Sequence, residues 1–214
     1  MTTLRTPSRL PAAPLKLRER TQPRIVKLPQ RIFTAEEYQR AYRPEWGRCE
    51  LIEGRIVRMS RNKPEHSRLA FEIAFQLGLF VRPRNLGEIY INDAGIMTRR
   101  NPDTLRGADV AFIRSGRPAV DETRYLEEVQ PDLCVEIRSP NDTWAELSSK
   151  AHEYLKAGVV LVWIIDPKTR KARTFRQGRK MVEVLEGGAL IGEDVLPGFK
   201  LELKSVFSRV NARE

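Results

Sequence analysis

The sequence contains only two cysteines and two histidines, and 7% of its residues are aromatic. Cys49 and Cys134 cannot build a disulfide framework, and both lie in apolar segments where a reduced thiol behaves as a small hydrophobe. His66 and His152 fall in different predicted helices, so they do not form a zinc site. The composition therefore favours a reducing, cytoplasmic setting and offers no aromatic-rich platform for single-stranded RNA.

Long apolar runs are also absent. None approaches the roughly 18 residues of a membrane span, and residues 1–30 contain no apolar core of a secretory signal. The formal net charge is +10, but residues 1–31 hold eight basic residues against one acidic residue. The remaining 30 basic and 27 acidic residues make the rest of the chain only mildly basic.

Residues 1–30 are rich in proline, threonine and arginine and show no lasting periodicity. This composition predicts a disordered basic arm, followed by one domain over residues 31–214. Five prolines in the arm argue against an amphipathic organelle-targeting helix. The arm is either a solvated tail or a nonspecific contact to phosphates, and its composition is compatible with both.

The hydrophobic periodicity of the remaining chain predicts one order of elements. Helices are expected over residues 35–42, 64–80, from 143 onward, and 204–210. Strands are expected over residues 49–52, 55–59, 87–97, 107–113, 131–138, 159–165, 171–176 and 181–185, with an extended piece over 195–203. The order predicts an α/β (α+β) fold in which helices flank a mixed central β-sheet.

Two details of the first elements concern charge and packing. Glu50 and Glu53 belong to a hairpin that turns at Gly54, and the simplest interpretation makes both of them solvated charges. In the long helix, Phe71 and Phe75 are expected to widen the apolar stripe. His66 lies in the first turn of that helix, where a hydrogen-bonding role is the simpler expectation.

The candidate chemistry lies between residues 107 and 158. Asp109 is the single carboxylate of a short apolar strand. Strict alternation over residues 131–138 places Glu136 and Arg138 on one face of the next predicted strand. The helix that follows carries Lys150 beside its apolar face.

Two carboxylates on neighbouring strands are suited to Mg²⁺, which binds one or two carboxylates together with water and phosphate oxygens. Such an ion polarises a phosphoryl group and lowers the pKa of the attacking water. Of the two nearby cations, only lysine can also accept a proton, because arginine stays charged. In the alternative without a metal site, Asp109 is a turn carboxylate, and Glu136 and Arg138 form a weak charge pair.

Several segments in order, taken together, resemble a known family. They are FTAEEY at 33–38, CELIEGR at 49–55, ADVAFI at 108–113, PDLCVEIRSP at 131–140, KAHEY at 150–154, AGV at 157–159, LVWIIDP at 161–167 and VLPGF at 195–199. The series resembles the Uma-type family of "putative restriction endonucleases" within the PD-(D/E)XK nuclease-like superfamily, over about residues 31–210.

The resemblance implies a restriction-endonuclease-like core and a magnesium-dependent endonuclease acting on DNA, with Mn²⁺ as a possible substitute. Asp109 and Glu136 match the metal ligands. Lys150 matches a lysine of the following helix, and Arg138 stands where the superfamily has its strand lysine. Glu53 and His66 match recurrent positions near the site.

The replacement of that strand lysine by Arg138 removes a potential base and leaves a second hypothesis open. The chain is an active endonuclease or a degenerate nuclease fold that binds DNA or a protein; an RNA-processing or small phosphoester hydrolase is the third alternative. Cutting both strands with one site per chain would favour a homodimer. No membrane partner is expected.

Overall fold

A computed structural model describes residues 27–121 and 123–211. The helices are α1 (Ala35–Ala41), α2 (Pro64–Val81), α3 (Trp144–Ala157) and α4 (Leu203–Asn211). The strands are β1 (Cys49–Ile52), β2 (Arg55–Arg58), β3 (Gly87–Arg99), β4 (Thr104–Arg114), β5 (Leu133–Ile137), β6 (Leu161–Asp166), β7 (Lys171–Arg176), β8 (Val182–Val184), β9 (Ala189–Ile191) and β10 (Lys200–Glu202).

Eight strands form one mixed sheet in the order β2-β1-β4-β5-β6-β7-β8, and β3 pairs with β4 outside this path. Strands β5 and β6 are parallel because α3 connects them, whereas the other pairs of this sheet are antiparallel. Strands β9 and β10 form a separate two-stranded sheet. The predicted fold, a mixed central sheet flanked by helices, is confirmed.

The alternation predicted for β5 decides which side chains enter which core. Leu133, Val135 and Ile137 pack in the layer that contains α2 and α4. Cys134 faces the opposite layer, together with buried residues of α3. All six residues of β6 are buried, as predicted for a central strand covered on both faces.

Helices α1 and α3 begin where the sequence predicts. Thr34 and Thr143 each accept a hydrogen bond from the backbone N–H three residues later. In return, their own backbone N–H groups donate to the carboxylates of Glu37 and Glu146. Both capping boxes satisfy amide groups that a helix start leaves without partners. The cap of α3 matters most, because this helix carries Lys150 to the sheet.

Two features of the fold differ from the prediction. Phe71 and Phe75 do not widen the buried stripe of α2, because they are 65% and 44% exposed on its outer side. The predicted extended piece after residue 195 is instead part of the β9–β10 hairpin and the start of α4. The basic arm lies outside the described residues up to Val26, and no helix of the described part is long and apolar enough to cross a membrane.

Helix α2 offers a matched test of which face it buries. Leu77 is fully buried against the sheet, whereas Leu79, two residues later, is 55% exposed. We expect Leu77→Ala to lower the free energy of unfolding by about 2–5 kcal/mol, because it leaves a cavity. Leu79→Ala should change it by about 0.5 kcal/mol or less. Urea unfolding of both variants measures this, and equal losses would contradict the assigned face.

Candidate functional site

The site forms where one edge of β4 lacks a partner strand. Along this edge β1 pairs at Leu105 and β5 pairs from Val110 to Phe112, which leaves residues 106–109 between the two strands. Side chains of other elements form hydrogen bonds with backbone groups of this gap. The N–H of Gly107 donates to Glu50 Oε1 at 3.1 Å, and its carbonyl accepts from Lys150 Nζ at 3.0 Å.

Asp109 is the first carboxylate of the gap and is 4% exposed. Its Oδ2 accepts from the backbone N–H of Ile137 at 2.8 Å, so the carboxylate ties β4 to the end of β5. The same oxygen lies 3.1 Å from His66 Nε2, which the first turn of α2 supplies. Oδ1 lies 3.7 Å from Arg48 Nη2 and is the less engaged oxygen.

Glu136 is the second carboxylate and comes from β5. Oε1 accepts from the hydroxyl of Tyr154 at 2.9 Å and lies 2.9 Å from Lys150 Nζ. Lys150 also donates to Oε2 of Glu136 at 3.0 Å. Because Lys150 and Tyr154 are four residues apart on α3, one helix face holds this carboxylate from two directions.

Glu50 of β1 completes the group and extends it outward. Its Oε1 accepts from Lys150 Nζ at 3.1 Å, and its Oε2 accepts from Arg106 Nη1 at 3.0 Å. Arg106 in turn makes a bidentate pair with Glu153 of α3. A chain of alternating charges therefore joins β1, β4, β5 and α3.

A bulge in β3 adds the fifth carboxylate, that of Asp93. The register shifts between Ile91 and Ala94, where Asn92 and Asp93 adopt φ values of +66° and +64°. This turns Asp93 toward Arg48, with which it forms a short ion pair. A side chain at Gly107 would place its Cβ 2.9 Å from Cβ of Asp93, so glycine makes room for the bulge.

The burial of this network shifts the pKa of several groups. Burial raises the pKa of Glu136 to about 7; Lys150 opposes the shift, while Asp109 and Glu50 add to it. Burial disfavours the charge of Lys150, but Glu136 and Glu50 outweigh that effect and raise the pKa of Lys150 above its usual range. Lys150 is therefore a fixed cation at neutral pH rather than a base.

His66 and Glu50 respond to the same network. Burial disfavours charge on His66, but the hydrogen bond to Asp109 outweighs it and raises the pKa of the imidazole. Burial likewise disfavours the charge of Glu50, but Lys150 and Arg106 hold the pKa of this carboxyl below its usual value. The site thus keeps one carboxylate ionised beside another that titrates near neutral pH.

A cleft of about 410 Å³ opens onto these groups. Asp109, Glu136, Glu50, Lys150 and His66 all line it. Of the residues singled out from the sequence, the structure brings together Asp109, Glu136, Lys150 and His66.

Arg138 and Glu53 lie apart from that group. Arg138 follows the end of β5, where its guanidinium pairs with Asp166 Oδ2 at 2.7 Å and donates to the carbonyl of Asp142. The alternation rule fails here because β5 ends at Ile137. Glu53 is 64% exposed at the hairpin turn and pairs with Arg99.

Sequence reasoning missed Glu50, Tyr154 and Arg48. The interpretation of Glu50 as a solvated hairpin charge is wrong, because this residue is only 5% exposed. Its burial depends on Lys150, which lies 100 residues later in the chain. Tyr154 left a usable signal, since it lies one helical turn beyond Lys150 on the same face.

The donor set suits a hard divalent cation. Within residues 27–121 and 123–211, no group of three or more His, Cys, Asp or Glu side chains could hold a metal ion. Asp109 and Glu136 nevertheless offer oxygen ligands at one cleft, and Mg²⁺ commonly takes only one or two carboxylates. The connected carboxylates (Asp109, Glu136, Glu50, Asp93, Glu153) outnumber the permanent cations (Arg48, Arg106, Lys150), so added positive charge would be stabilised here.

Comparison with known families indicates a nuclease-like protein. A family model described as "Uma2: Putative restriction endonuclease" matches residues 35–204, and the chain belongs to this family. The fold is similar to that of a "putative nuclease belonging to DUF820" from Anabaena variabilis, with a TM-score of 0.71 and 19% sequence identity. That match covers 83% of this chain and 99% of the other. No curated protein matches the sequence.

The raised pKa of Glu136 predicts a pH-dependent stability. Between its ordinary value of 4.5 and about 7, the folded chain retains a proton that the unfolded chain releases. In this window Glu136 therefore makes unfolding easier as pH rises, by about 1.4 kcal/mol per pH unit. Glu136→Gln should lack this contribution, so metal-free urea unfolding should show the variant gaining on the wild type from pH 5 to 7. A constant difference would contradict the assignment.

Proposed function

We propose that the protein is a magnesium-dependent endonuclease that hydrolyses phosphodiester bonds of DNA. The observation that carries this proposal is the convergence of Asp109 and Glu136 on one cleft beside the fixed cation Lys150. Family membership supports a nuclease, and the geometry supports the metal dependence. Mn²⁺ fits the same oxygen ligands and should substitute for Mg²⁺.

Asp109 and Glu136 would hold the ion. When bound, Mg²⁺ supplies the positive charge that polarises the phosphoryl oxygens and lowers the pKa of the attacking water. Ile137 and His66 occupy Oδ2 of Asp109, which leaves Oδ1 without a hydrogen bond shown in the described residues and 3.7 Å from Arg48 Nη2. Tyr154 fixes Glu136 by its hydroxyl hydrogen bond.

Lys150 would stabilise the charge that develops on the phosphate oxygens. Its ammonium group is already positioned by Glu136, Glu50 and the carbonyl of Gly107, so little reorganisation is needed during the reaction. Lys150 would thus supply the positive charge of the superfamily's strand lysine, but not its function as a base. Arg138 would act indirectly, by fixing the loop after β5 through Asp166.

Double-strand cleavage would take two copies of the chain, because each provides one such site, and a homodimer is therefore part of the proposal. A cytoplasmic location is consistent with Cys49 and Cys134, which are free thiols.

Asp109→Asn and Glu136→Gln test the proposed activity directly. Each should slow the nicking of supercoiled plasmid in MgCl₂ by about 100-fold or more, because each removes charge that holds the ion. Lys150→Gln should cause a loss of similar size. Glu53→Gln is the matched control and should cut like the wild type, since Glu53 lies on the exposed turn. If the site variants cut as well as Glu53→Gln, the activity does not belong to this cleft.

Metal binding should follow the protonation of Glu136. A proton on this carboxyl competes with Mg²⁺, so the dissociation constant should rise about tenfold for each pH unit below the pKa of about 7. Calorimetry between pH 5.5 and 8, with and without a short DNA duplex, measures this dependence. The Asp109→Asn/Glu136→Gln variant should bind no Mg²⁺ above background. A pH-independent constant would argue against Glu136 as a ligand.

A second candidate function is that of a degenerate nuclease fold that binds DNA or a protein without cutting. One observation favours it: Lys150 already forms ion pairs with both Glu136 and Glu50, and Arg138 is engaged with Asp166. In this case DNA should bind equally well in EDTA and in MgCl₂, weaken steeply with salt, and remain uncut. Removal of residues 1–30 should then lower the salt dependence.

A further inference from the structure

A second cavity, of about 180 Å³, lies beside the carboxylate cleft. Three segments build it: the chain leading into α2, the loop after β5 and the turn after β6. Ser60, His66, Ser139 and Asn141 line both this cavity and the cleft. The two spaces are therefore neighbours along one continuous surface.

The charge of this cavity is opposite to that of the cleft. Arg138 and Asp166 belong to its lining but neutralise each other at 2.7 Å. Arg61, Lys63 and Lys168 remain, and none of them forms an ion pair with a side chain in the described part of the chain. They face one further acid, Glu65. The cavity is therefore a basic pocket next to an acidic one.

Backbone and ring groups add polar character to the same pocket. Lys63 is the N-cap of α2 and its side chain makes no capping hydrogen bond, so no side-chain cap covers the start of this 18-residue helix, whose first turn carries Glu65. His66, which is only 6% exposed, directs Nε2 to Asp109 and has no hydrogen-bond partner for Nδ1 within the described residues. Nδ1 is therefore an unsatisfied polar group of a residue that lines both this cavity and the cleft.

We propose that this cavity binds a backbone phosphate of the DNA strand, adjacent to the phosphate held at Asp109 and Glu136. The inference rests on the proposed function, because it takes DNA as the substrate. Lys63 and Lys168 contact the phosphate as point charges, and the start of α2 adds its amide groups. The strand thus passes from a basic pocket, which fixes its position, to the acidic cleft, where the reaction occurs.

A pair of charge-matched variants tests the site. Lys63→Gln/Lys168→Gln removes two cations of the cavity, and Lys156→Gln/Lys180→Gln removes two exposed lysines elsewhere. Binding of a fluorescent short duplex to the full chain is measured by anisotropy in EDTA over a salt series. The cavity variant should bind about tenfold more weakly and lower the slope of log K against log salt by about two. The control pair should stay within about twofold of the wild type.

Equal weakening by both pairs would overturn the proposal, because it would reduce the effect to overall charge. Inorganic phosphate provides a second arm. Inorganic phosphate could bind the wild type at low millimolar concentration and fail to bind the cavity variant, while both proteins bind the duplex equally well. In that case the cavity binds free phosphate, and the proposal fails. Every measurement in this test is made without metal and without cleavage. Its result therefore does not depend on whether Asp109→Asn abolishes the nicking of plasmid.

Discussion

The unpaired stretch of β4 between Leu105 and Val110 is the constraint on which the site depends. Strand β3 covers the other edge of β4 almost completely, so only this side can receive side chains from outside the sheet. A backbone N–H or carbonyl buried without a partner is costly. Glu50 and Lys150 meet that need at Gly107, and in doing so they are fixed within reach of Glu136. One irregularity in strand pairing thus orders the charged groups.

Such a buried charge network also lowers the stability of the fold. Removing charges from water is expensive, and partners repay the cost only when each lone pair and proton is used. Asp109 and Glu50 each accept a hydrogen bond from a backbone N–H and each lie beside an arginine. The cost of burying the charge of Glu136 is compensated less completely, and burial beside two other carboxylates raises its pKa to about 7. The same imbalance that weakens the fold favours a cation in the cleft.

Local periodicity was sufficient to predict the elements that carry Asp109, Glu136 and Lys150. Two-residue alternation assigned β5 correctly as far as Ile137, and a capping box located the start of α3. The pattern could not predict where strand pairing stops. Arg138 is therefore expected on the same face as Glu136 but pairs with Asp166 instead. Nor could it predict the burial of Glu50, because a hairpin glutamate looks solvated until a helix 100 residues away packs over it. Contacts of that range leave no mark in the local pattern.

The position of Arg138 shows how the fold can keep a cation at the carboxylates without a lysine on the strand. The backbone N–H of Arg138 bonds to Ile165, which keeps the chain against β6, and the side chain follows it to Asp166. A guanidinium held there fixes the loop that leads to Thr143 and hence the start of α3. Lys150 then approaches Glu136 from the helix instead of from the strand. Arg138 thus contacts the loop that leads into α3, and α3 in turn carries Lys150 to Glu136.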